Sequence, residues 1–185
     1  MSMGKLFVIS GASGVGKSTV LQKVMQTRKD LAFSVSATTR APREGEVDGV
    51  HYNFITRPEF ENMIARGEFL EYDEHHEVLY GTPASQILEK QEHGHVILDV
   101  EPNGAFNVRR LRPDATLIFI MPPDRSELER RLRSRGDTSE EQIRIRMNRA
   151  NWEMDQSSAY DYIVVNDQVE ACAKKILEII ADKAD

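Results

Sequence analysis

An α/β fold with a parallel sheet and helices on both faces is what this sequence predicts, and two observations predict it. Strongly apolar runs of strand length recur at residues 6–10, 95–100, 115–121 and 161–166, and near-continuous apolarity is the mark of strands buried on both faces. Segments with helical periodicity lie between these runs, an alternation that indicates parallel strands joined by helical crossovers. At 185 residues the chain fits one domain with enough volume for a substantial core.

The first run is β-branched and stops at Gly11. Residues 18–28 then place Val20, Leu21, Val24 and Met25 on one face of a helix. Residues 34–79 break the alternation: YNFI and FLEY read as short strands around a small helix at 58–65, which Gly67 ends. This predicts an inserted lobe. HVILDV (95–100) and ATLIFIM (115–121) restore the buried strands. Residues 124–151 are dense in arginine and glutamate, with helices at 125–134 and 140–155 separated by Gly136-Asp137. A Thr138-x-x-Glu141 capping box is expected to start the second helix of this charged hairpin. DYIVVN (161–166) and a closing helix at 169–181 complete the chain.

A net charge of −6 argues against a general nucleic-acid or membrane-surface binder, which needs a basic face. Any phosphate must be met by a local cluster. The single cysteine, Cys172, offers no internal disulfide, and no Cys/His spacing suits zinc. The opening MSMGKLFVISG has too short an apolar run for a signal segment, and no stretch approaches the roughly 20 apolar residues of a membrane span. A cytoplasmic protein is expected.

Two motifs carry chemistry. GASGVGKS, from Gly11 through Ala12, Ser13, Gly14, Val15, Gly16 and Lys17 to Ser18, matches G-x-x-x-x-G-K-[ST] after a strand and before a helix. Its glycines turn backbone N–H groups toward phosphate, the helix N-terminus adds positive potential, Lys17 reaches the β- and γ-phosphates, and Ser18 suits Mg²⁺. Asp99, at the end of the strand VILDV, stands where α/β sheets place ligands and suits the same cation. A lone strand-end Asp is more often a cap, but the phosphate loop in the same sheet favours the metal role. The second motif, SVSATTRAPREGEVDG, sets Arg40 and Arg43 among hydroxyls, glycines and a proline. Two guanidiniums on a loop can converge on one phosphate, with Ser36, Thr38, Thr39 and Tyr52 completing its shell.

Taken in order, GASGVGKST, SVSATTRAPREGEVDGVHYNF, EFLEY, LYGT, ILDVE, RRLRSRG and IVVND resemble the guanylate kinases over essentially the whole chain. TTRAPREGE is the discriminating part, since phosphate-loop ATPases in general lack it. The resemblance implies a P-loop kinase fold with a core at 1–33, 83–123 and 156–185, a GMP-binding lobe at 34–82 and a helical lid at 124–155. It implies transfer of the γ-phosphoryl of Mg-ATP to GMP, and to dGMP. GMP would be held by Ser36, Arg40, Arg43, Tyr52 and Tyr80 at its phosphate and by Glu71, Thr82 and Glu101 at its guanine. ATP would sit on the phosphate loop through Thr19, with Asn166 and Asp167 near adenine. Catalytic charge would come from Lys17, Arg40, Arg131, Arg135 and Arg146; Arg130 and Arg133 are expected to be salt-bridged surface residues.

The acceptor oxygen is already anionic, so no general base is needed. His51, His75, His76, His93 and His95 are accordingly read as surface or packing residues. Two runs depart from the family pattern. HEVLYGT has Glu77, Val78 and Leu79 where G-N-Y usually precedes Y-G-T, and DVEPNG replaces D-x-D-x-Q-G with a longer carboxylate, Glu101, and a shorter amide, Asn103. Both alter the reach of the acceptor pocket. The alternatives are a P-loop kinase for another small phosphorylated acceptor, a guanylate-kinase-like module that binds a protein, and, weakest, a GTPase, for which no N-K-x-D signature follows the loop. No nucleic-acid or membrane partner is expected, and a homo-oligomer is compatible with the sequence.

Overall fold

The computed structural model describes residues 3–75, 77–134 and 139–184. Five strands form a wholly parallel sheet: β1 (Leu6–Gly11), β2 (Leu31–Phe33), β7 (His95–Asp99), β8 (Thr116–Met121) and β9 (Tyr162–Val165), in the order β2-β7-β1-β8-β9. The expected fold class is the one observed. In β1 the consecutive residues Leu6, Phe7, Val8 and Ile9 are all buried. Successive strand residues point to opposite faces, so both faces of the sheet are covered. At the edge the pattern changes: Val164 is buried while Ile163 and Val165 are half exposed, so β9 is covered on one face only.

The connections explain the position of the site. Helix α1 (Lys17–Thr27) carries the chain from β1 toward β2, and α4 (Pro102–Leu111) carries it from β7 across β1 to β8. Right-handed crossovers running in opposite directions put α1 and α4 on opposite faces. Between β1 and β7, at their C-terminal ends, the connections diverge and leave a crevice. Lys17 and Asp99 flank it.

A second, mixed sheet has the order β4-β3-β6-β5, from β3 (Ala37–Thr38), β4 (Asn53–Phe54), β5 (Phe69–His75) and β6 (Val78–Pro83). Helix α2 (Arg57–Ala65) packs on it through a small separate core of Ala37, Phe60 and Leu79, with Phe60 and Phe69 stacked 4.3 Å apart. Thr56 and Glu59 form the capping box of α2. Gly67, at φ 66°, closes it with N–H bonds back to Ile64 and, from Glu68, to Met63. Helix α3 (Ala84–Gln91) returns the chain to the core, and β6, α3 and α4 all arise where the sequence pattern alone marks no element.

The charged stretch forms helices α5 (Arg125–Arg133) and α6 (Glu140–Asp155), which pack together. The capping box of α6 falls one residue later than the sequence suggests: Ser139 is the N-cap and Gln142 its partner, in place of Thr138 and Glu141. Thr138 and the Gly136-Asp137 break lie outside the described residues. Helix α7 (Val169–Ala184) closes the fold against α1.

Candidate active site

The phosphate loop leaves β1 and enters α1 with Gly14 at φ 86° and Gly16 at φ 91°, backbone that L side chains rarely adopt. Gly16 is the N-cap of α1, with no side chain capping it and no acidic residue in the first turn. The helix end is thus electrostatically suited to an anion. A cavity of about 210 Å³ is lined by the whole loop, Thr19 included, and by Glu101 and Glu153. Ser18 and Thr19 are exposed to it. Lys17 forms an ion pair with Asp99 across the crevice.

The loop is braced from behind. Asn166 is buried, and its Nδ2 donates to the Val15 carbonyl at 2.8 Å. Arg131 reaches from α5 to the carbonyls of Val15 and Asn166, each at 3.2 Å, while its Nε bonds Glu127 at 2.7 Å. Glu153 on α6, only 2% exposed, accepts the Ser13 backbone N–H at 2.6 Å and its hydroxyl at 3.3 Å. Arg131 thus touches the loop from behind, through the Val15 carbonyl, and lines neither cavity. Asn166 supports the loop from beneath and does not line its cavity; Asp167 is exposed, Arg146 is exposed on α6 and lines neither cavity, and Arg135 lies outside the described residues.

A larger cavity of about 520 Å³ opens beside the loop, and Lys17 lines both. Of the residues expected to hold GMP, Ser36, Arg40, Arg43, Tyr52, Glu71, Tyr80 and Glu101 line this cavity, and Thr82 touches it through Glu71. Thr38, fully buried, and Thr39, whose hydroxyl accepts the Leu79 N–H, do not line it, so they do not complete the phosphate shell as expected. Arg40 is stacked over the Tyr52 ring at 5.0 Å, and Tyr52 meets Tyr80 edge-on at 6.0 Å. Glu46 takes both terminal nitrogens of Arg40, at 2.6 and 2.7 Å, and the Arg43 backbone N–H at 2.7 Å. The Arg40 guanidinium and then the Arg43 N–H hold the Glu46 carboxyl down at about 2. The Arg40 Nε is buried and meets no acceptor among the described residues.

The far end of the cavity is set by a bulge. Between Phe69 and Glu71 the β5–β6 register shifts, so that Glu71 faces Thr82 where regular pairing would place Gly81. The Thr82 hydroxyl donates to Glu71, and a Cβ on Gly104 of α4 would lie 2.9 Å from the other carboxylate oxygen. Burial, with smaller contributions from Asp73 and Glu101, pushes the Glu71 carboxyl up to about 7.

Some contributors escape sequence reasoning. Glu46 sits inside the quoted motif, and its spacing from Arg40 and Arg43 is a usable signal. Glu153 and Arg149, four apart on α6, look like an ordinary surface pair, and nothing local shows that Glu153 reaches Ser13. His95 accepts the Lys5 N–H and packs on Phe7, His51 accepts the Val47 N–H, and neither lines a cavity; His76 lies outside the described residues.

A sequence model of the family described as guanylate kinase matches residues 3–183. A guanylate kinase of Thermus thermophilus is 48% identical over 178 residues, covering 96% of this chain and 80% of that protein. Guanylate kinase of Trichormus variabilis is 47% identical over 176 residues, covering 95% and 88%. The crystal structure of guanylate kinase from Anaplasma phagocytophilum superposes with a TM-score of 0.79 at 32% identity, covering all of this chain and 88% of that one. The SH3-kinase fragment of tight junction protein 3, at 14% identity and TM-score 0.52, shares the fold alone.

Proposed function

The chain belongs to the guanylate kinase family and phosphorylates GMP with ATP, and from that premise we propose how its own residues divide the work. The observation that carries the assignment is the convergence of the expected acceptor residues on one cavity that joins the phosphate loop at Lys17. ATP binds with its phosphates on the loop from Gly11 to Thr19. GMP binds in the larger cavity, its phosphate toward Arg40, Arg43, Ser36, Tyr52 and Tyr80, its base toward Glu71, Thr82 and Glu101. dGMP fits the same set, since none of these residues is assigned to the ribose.

The clamp chemistry suits a phosphate. Glu46 and the aromatic rings fix the Arg40 plane, and the buried, unmet Nε of Arg40 is a donor that a phosphate oxygen can complete. The base chemistry suits guanine, whose N1–H and 2-amino donors find a carboxylate in Glu71, whereas adenine presents no such pair on that edge. A GMP phosphate oxygen, anionic at neutral pH, attacks the γ-phosphorus in line; the bond to the ADP oxygen breaks and no proton need be removed. Lys17, Arg131 and the clamp arginines offset the charge spread over the transferring group. Arg135 and Arg146 are proposed to join them when α5 and α6 act as a lid.

The donor set of Ser18 and Asp99, a hydroxyl and a carboxylate flanking one crevice, fits Mg²⁺, which prefers few protein oxygens together with phosphate oxygens and water. When bound there, Mg²⁺ would supply positive charge against the phosphates during transfer. We also propose a division into core (1–33, 83–123, 156–185), acceptor lobe (34–82) and lid (124–155). The second sheet with its own small core and the α5–α6 pair support it. No helix among the described residues is long and apolar enough to cross a membrane, and the lone buried Cys172 agrees with work in the cytoplasm.

The test is ADP formation with Mg-ATP and GMP, dGMP, AMP, UMP or CMP in parallel. Turnover confined to GMP and dGMP is expected, and Lys17→Ala should collapse it. Equal turnover with AMP would overturn the base assignment, and an unchanged kcat in Lys17→Ala would overturn the donor assignment.

A further inference from the structure

The two cavities share more than Lys17. Glu101 lines both, Glu153 lines the phosphate-loop cavity, and Arg149 lines the acceptor cavity. From α6, Arg149 donates through Nη2 to Glu101 and through Nε to Glu153 at 3.2 Å. Glu153 in turn accepts the Ser13 N–H. One guanidinium thus holds a carboxylate assigned to the acceptor base and a nearly buried carboxylate bonded to the donor loop.

The charge arithmetic makes this arrangement consequential. A cavity that must receive a polyphosphate is lined by two carboxylates, and like charges at close range oppose its binding. Glu153 is too buried for water to screen it, so its compensation must come from a bonded cation. Arg149 is placed to be that cation, and its planar fork can bond two carboxylates at fixed geometry where a lysine offers a point charge.

We propose that Arg149 is a positioning residue that orients Glu101 toward the acceptor base and cancels the charge of Glu153 beneath the phosphate loop, tying the two substrate sites together. The proposal rests on the assignment of GMP and ATP to these cavities. It goes beyond that assignment in giving a role to a side chain that touches neither reacting atom.

The experiment is steady-state kinetics on wild type, Arg149→Met, Arg149→Lys and Arg149→Met/Glu153→Gln, with thermal unfolding as a check on folding. Arg149→Met is expected to raise KM for both nucleotides about tenfold, with kcat changing less than about threefold, a size typical of coupling between linked sites. Removing the uncompensated negative charge in the double variant should restore KM for ATP but leave KM for GMP high. Arg149→Lys keeps charge without the fork, so it should raise KM for GMP while KM for ATP stays near wild type. It decides the matter if Arg149→Met fails to fold. Unchanged KM values in Arg149→Lys and Arg149→Met, loss confined to kcat, or no recovery of ATP in the double variant would each overturn the proposal. Failure of the wild type to phosphorylate GMP would instead overturn the assignment beneath it.

Discussion

Glu71 is held near neutrality by its surroundings, and the direction has two consequences. Because burial raises it from 4.5 to about 7, the folded protein binds that proton more tightly than the unfolded chain. The associated stability is fully present below pH 4.5 and is lost as pH rises through about 7, an effect of roughly 3 kcal/mol in the nucleotide-free protein. Guanine donors favour the ionised form, so GMP binding should expel the proton and tighten as pH rises. Calorimetric GMP affinities between about pH 5.5 and 8 should fall steeply on the acid side. The GMP phosphate titrates near pH 6 and contributes to that fall; Glu71→Gln should remove only the carboxylate's part. Superimposable profiles for the two proteins would place the base elsewhere. A second residue tests strain: Glu77, at φ 65° in the β5–β6 hairpin, stands where the family pattern has glycine. The left-handed backbone costs a side chain roughly 1 kcal/mol, so Glu77→Gly should raise the unfolding free energy by up to that amount, read as a higher urea midpoint at unchanged slope; a lower midpoint would mean that unfolded-chain entropy dominates.

Secondary elements differ in how plainly the sequence announces them, and the difference is physical. Strands β1, β7 and β8 are continuous apolar runs because both their faces are buried. Strand β6, VLYGTP, contains a glycine and a proline and owes its existence to pairing with β5 and β3. Helix α3 buries only Ile87 and Gln91, too little for a periodic signal. In the site, the phosphate loop and the arginine motif are legible because local backbone or local spacing does the chemistry. Glu153 is illegible because its partner, Ser13, is 140 residues away. Gly81 shows how tightly the second sheet depends on small size: an added Cβ would lie 2.9 Å from both Phe60 and Phe69, inside the stack that forms the lobe's core. Gly81→Ala should cost about 1–3 kcal/mol and, by moving Tyr80 and Thr82, raise KM for GMP well above wild type. KM for ATP should barely change; a matching rise for ATP would show that the distortion spreads into the parallel sheet.

For the whole molecule, the decisive property is that the phosphate-loop cavity and the proposed acceptor cavity share one crevice, with Lys17 and Glu101 lining both. A ligand that binds only the folded state stabilises it by mass action, by about 2.7 kcal/mol at a hundredfold excess over Kd. For a chain of this size that is about 5–10 °C in Tm, an easily resolved shift. GMP and ATP should each give it to the wild type without turnover being needed. Arg43→Ala removes an acceptor cation that lies outside the phosphate-loop cavity, so it should abolish most of the GMP shift and preserve that of ATP. Lys17→Ala should do the reverse, diminishing the ATP shift and sparing most of the GMP shift, because Arg40, Tyr52 and Glu71 still hold the acceptor. If both variants lose both shifts in equal proportion, the two cavities behave as a single nucleotide site, and the separation of donor from acceptor that transfer between them requires would not exist.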